Sequence, residues 1–133
     1  MNASLSVDQA LPGFTQDLLH VEHAPALFLS AWKRAVSLVG RELFGWGHTP
    51  VSLEQIDSKT ELRPNLFRIH DALPDLAPSE QVFLAALVSF YDVEEGQTLC
   101  KRAGVEGLAD LSRLDLPYRR ILADLLLHDT GWA

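Results

Sequence analysis

The sequence predicts an all-α fold: an irregular bundle of five to seven helices around a central apolar helix at about residues 78–92. Three observations lead there. No stretch alternates apolar and polar residues as a half-buried strand does. Helix-start and helix-stop residues recur along the chain. From Val82 to Tyr91, only Ser89 is polar. A helix that is apolar all round must be enclosed by other elements or cross a membrane. Such a segment rises only about 15 Å, roughly half the thickness of a bilayer core, so enclosure is expected.

Taken in order, residues 1–13 are weakly patterned and end in the turn signal Pro12-Gly13, which predicts a loosely held N-terminal arm ahead of a single α-helical domain. Thr15 is placed to cap a short helix through His23. Pro25 then suits the first turn of a long helix over about 25–44, stopped by Gly45 and Gly47. Its apolar face gathers Phe28, Trp32, Ala35, Val36, Val39, Leu43 and Phe44, with Glu42 intruding on the arc. A carboxylate there is expected at the solvent rim or against a cation. Residues 45–64 are the most irregular stretch, and a loop of that length is where a binding surface is expected. Within it, Ser52 and Gln55 stand at capping-box spacing. Asn65 suits the cap of a helix over 66–73, closed by Pro74. Beyond the central helix, Asp92 and Glu95 form a second capping box, and that helix ends at Gly104. A short helix at about 107–113 follows. Asp115 is placed to cap the last one, whose expected buried stripe is Tyr118, Ile121, Leu122, Leu125 and Leu126. Leu127 points the other way.

The totals narrow the function classes. The chain has 133 residues, 47% of them hydrophobic, and a net charge of −7. Length and apolar content suit one globular domain. The negative charge disfavours a phosphate backbone as partner. The lone cysteine, Cys100, forms no internal disulfide. With no signal-peptide pattern, the cytoplasm is the expected location. No run of about 18 apolar residues exists to span a membrane.

Three constellations bear on chemistry. His20 and His23 stand three apart on a helix, with His70 and His128 elsewhere as further metal-ligand candidates. The plainer reading is a pair of surface histidines, and no metal or other cofactor is expected. Next, the run LLLHDTGW, with His128-Asp129, resembles the metal-binding core of the HD-domain phosphohydrolases. The resemblance implies an upstream His, for which His20 or His23 would serve, and a downstream Asp, which has no counterpart before Ala133. It covers about six residues, and a metal-dependent hydrolase is the more distant alternative. Lastly, QTLCKRAGVEGLADLSRL, residues 97–114, resembles a helix-turn-helix with Gly104 in the turn. It makes a DNA-binding or transcription-regulating protein the nearer alternative, gripping through Lys101, Arg102 and Arg113. Its second helix lacks the basic stripe of a DNA reader.

Nucleophile settings, phosphate loops and zinc-finger spacings are all missing. Trp46, Leu127 and Trp132 are placed as apolar anchors. The expectation is therefore a small, acidic, non-enzymatic protein-interaction module that binds a protein partner or itself as a homodimer.

Overall fold

The computed structural model describes residues 12–45 and 51–132, and among these the protein is all-α. Five α-helices follow one another: α1 Pro12–Val39, α2 Leu66–Ala72, α3 Pro78–Tyr91, α4 Val93–Ala103 and α5 Leu116–His128. Short 3-10 segments join them at Arg41–Leu43, Leu53–Gln55, Lys59–Leu62, Leu73–Asp75 and Leu108–Arg113. The only pairing of extended backbone among the described residues is one antiparallel bridge between Phe44 and Pro64.

The central helix is where the sequence puts it. Pro78 occupies the first turn, where its missing N–H costs nothing, and the Glu80 carboxylate accepts from the Ala77 N–H at 3.3 Å. Val82, Phe83, Leu84, Ala85, Leu87 and Val88 are buried. Gln81 ties down the preceding turn by donating to the carbonyls of Leu73 (2.8 Å) and Leu76 (3.1 Å). The cap at Asn65 forms as expected, and Asp92 caps its helix too, with Arg68 N–H and Glu95 N–H donating to their side chains at 3.2 and 3.0 Å. The reciprocal half of the capping box expected at Asp92 is missing: Asp92 N–H donates to the Val88 carbonyl, and the Glu95 carboxylate meets His70. Gly104 closes α4 in the left-handed conformation, at φ 77°. Asp115 stands at the start of α5, but its side chain makes no capping bond; its N–H donates to Ser79 Oγ instead, at 3.0 Å.

α1 departs from expectation at both ends. Its backbone is already helical at Pro12 and runs through Thr15 and Pro25 without a break. Proline withholds one helical hydrogen bond, from the Val21 carbonyl. Both Val21 and Pro25 are exposed, so water can take the freed acceptor. The helix ends at Gly40, not at Gly45, because Gly40 turns to φ 130°, ψ 123°, backbone that other residues rarely adopt. Leu43 and Phe44 remain in the core, while Glu42 is exposed in the following 3-10 turn.

The core is aromatic at its centre. Trp32 is fully buried and donates its indole N–H to the Leu62 carbonyl at 2.9 Å. It stacks on Phe28 and meets Phe44 and Trp132 edge-on, at centroid distances of 5.8, 5.9 and 5.0 Å. The irregular stretch helps to close this side. Gly45 N–H donates to the Arg63 carbonyl (2.7 Å) and Asn65 N–H to that of Leu43 (2.8 Å), while Ile56 and Leu62 are buried. α3 and α4 approach closely at Gly96, where a Cβ would lie 2.6 Å from Ser89 Cα.

Candidate functional site: an apolar groove beside the last helix

The central helix is enclosed all round from Val82 to Ala85 and opens toward its C-terminal end. There Ala86, Ser89, Phe90 and Tyr91 line an open groove of about 1280 Å³. α4 contributes Val93, Gln97, Cys100 and Lys101; the corner after it contributes Val105, Glu106, Gly107, Leu108 and Leu111. α5 supplies Leu122 and Leu126, and the terminal segment Asp129, Gly131 and Trp132. A shallower hollow of about 360 Å³ continues past Leu108 and Leu111 along Leu114, Ala123 and Leu126. The two make an extended apolar track rather than a compact pouch. Three of the large apolar lining side chains are markedly exposed: Val93 at 67%, Leu108 at 86% and Leu126 at 63%.

Two walls are held by specific bonds. The Asp110 carboxylate accepts from the N–H groups of Glu106 (2.7 Å) and Gly107 (3.1 Å). Those backbone bonds, assisted by Arg113, hold its pKa below the ordinary carboxylate value. Arg113 staples the same corner by donating to the carbonyls of Ala103, Gly104 and Asp110. At the opposite wall, Lys59 Nζ donates to the Gly131 carbonyl at 2.7 Å and lies over the rings of Phe28 and Trp132, at 4.9 and 5.1 Å. Burial lowers the Lys59 pKa, partly offset by Asp129. Trp132 packs on Trp32 and Tyr91, half-buried, while also lining the groove.

The predicted site residues scatter around this feature. Trp46 lies outside the described residues. Leu127 is exposed, as its position on the wheel implies, but does not line the groove. Lys101 sits at the rim. The expected helix at 107–113 is a 3-10 segment, so residues 97–114 lack a recognition helix. Arg113 is turned onto its own backbone, and Arg102 donates to His70 Nδ1 at 2.8 Å. His70 also meets Glu95 at 3.1 Å. His23 is exposed, whereas His20 and His128, 108 residues apart, come together with Nε2 and Nδ1 3.3 Å from each other. No group of three or more His, Cys, Asp or Glu side chains able to hold a metal occurs among the described residues.

Leu126 is the informative miss. The apolar pattern puts five positions in the buried stripe of α5, and the structure buries only Ile121, Leu122 and Leu125. An apolar arc wider than its partner helices can cover was the available signal. No residue of the loop at 51–64 lines the groove: Lys59 braces one wall from behind, and the apolar Ile56 and Leu62 are buried in the core. No helix among the described residues is long and apolar enough to cross a membrane. No family model matches the chain, and neither curated proteins nor solved structures yield a match.

Proposed function

We propose that this chain is a protein-interaction module without chemistry of its own, and that its groove receives the apolar face of an amphipathic helix from another protein. The groove's size and lining carry this reading. Small-molecule sites usually occupy about 300–1,000 Å³. This one is larger, open, and continued by a second hollow. Its lining is leucine, valine and aromatic rings with few polar groups, as helix-in-groove recognition uses. The net charge of −7 favours a guest with a basic outer face, which it would attract over distances beyond contact.

The test uses a synthetic amphipathic leucine–lysine helix as probe, with a leucine–glutamate helix of the same pattern as control. Calorimetry and amide chemical shifts are the readouts. The leucine–lysine peptide is expected to perturb Phe90, Val93, Leu108 and Leu126, and Leu126→Glu should abolish its binding. Perturbation confined to other surfaces, or no binding at all, would remove the groove from consideration. Equal binding of the acidic peptide would remove the charge argument.

A further inference from the structure

On the flank of α5 away from the groove, His128 meets His20 of α1 with facing nitrogens 3.3 Å apart. That is within hydrogen-bond reach when one ring carries the proton. It also matches the edge of a tetrahedron around a metal ion with bonds of about 2.0–2.1 Å to nitrogen, an edge of about 3.3 Å. The rings are half-buried and sit on two helices, so their spacing is set by the backbone. Two imidazoles are half of a closed tetrahedral shell, and among the described residues no third ligand stands beside them. Asp17 and Glu22 are exposed within three residues of His20, and Asp129 adjoins His128, which lowers the cost of bringing up a cation.

Next to these histidines in sequence, Leu18, Leu19 and Val21 on α1 and Leu127 on α5 are each more than half exposed. Isolated apolar side chains on a surface need no explanation, but four of them on the two helices that carry an incomplete ligand set do. A twofold axis would supply both missing parts at once, since a self-complementary interface repeats every donor. We propose that a second copy of this chain docks here, with one divalent transition metal ion of the zinc type held by His20 and His128 of both copies.

This goes beyond the groove reading and uses a different flank of α5, so either can fail alone. The full chain is measured by light scattering and elemental analysis with and without Zn2+, and by visible absorption with Co2+. Expected are a shift from monomer to dimer on adding Zn2+, one metal ion per two chains, and a tetrahedral Co2+ spectrum. His20→Ala and His128→Ala should each abolish all three while leaving helical circular dichroism unchanged, and His23→Ala should leave them intact. Leu127→Glu should prevent the dimer. Metal bound one per chain without dimerisation would overturn the proposal. So would a dimer indifferent to Zn2+ and to both histidine substitutions, or no metal binding at all.

Discussion

The two ends of α3 are built from similar residues and treated differently. From Val82 to Val88 every side chain but Ala86 is buried, all round the helix. In the last turn, Phe90 and Tyr91 are only partly covered and line the groove with Ala86 and Ser89. The difference lies in what is packed opposite. At the enclosed end, Phe83 stacks on Tyr118 of α5, and Gln81 is tied to the preceding turn. At the open end, Phe90 and Tyr91 meet Phe28 and Trp132 edge-on, and the facing 3-10 segment of six residues presents Leu108 outward. Hydrophobic residues alone do not decide burial; the length and shape of their neighbours do.

That contrast can be broken most severely at Trp32. Trp32→Ala removes a fully buried indole and leaves the Leu62 carbonyl without its donor, so a loss of about 3–5 kcal/mol is expected in urea unfolding. Gly96→Ala comes next. Helix propensity favours alanine by about 1 kcal/mol, but a Cβ 2.6 Å from Ser89 Cα forces α3 and α4 apart. A net loss of about 1–2 kcal/mol is expected, and a neutral result would show that the two helices can slide. Lys59→Ala should cost about 1 kcal/mol and shift tryptophan emission to the red as Trp132 loosens. Leu126→Ser should change stability by no more than about 0.5 kcal/mol, since the side chain already meets water. A much larger loss would mean that the groove wall is part of the core.

The smallest effect concerns pH. Asp110 has a folded pKa below its ordinary value of 3.8, so its contribution is present above that value and is lost as pH falls through the lowered one. Asp110→Asn should therefore flatten the acid limb of the stability profile below about pH 4 and leave the neutral range nearly unchanged. An identical acid limb would show that the corner at 106–113 does not depend on this carboxylate.

Much of the fold is legible because its signals are local. Asn65, Asp92 and Gly104 cap their helices through contacts within a few residues, and the apolar run at 82–91 is long enough to demand enclosure. Pro25 misleads because a missing N–H costs little where the carbonyl it would have served is exposed. Gly40 escapes notice because the apolar pattern continues through Leu43 and Phe44, which pack from a 3-10 turn and a bridge instead of a helix. The groove is harder still. It depends on the segment at 108–113 adopting the tighter helix, which Leu-Ala-Asp-Leu-Ser-Arg does not announce. The meeting of His20 with His128 requires knowing how α1 lies against α5, which no spacing along the chain contains.

Trp132 belongs to two neighbourhoods at once. Its indole props Trp32 and Phe28 from one direction and borders the groove from the other. A guest that leans on it therefore pushes, through a single ring, on the helix that carries His20. Linkage makes such a push mutual: whatever factor an occupant exerts on events along α1 is returned to it unchanged. The natural reporter is already in place, because the light emitted by that tryptophan pair should register arrivals on either flank.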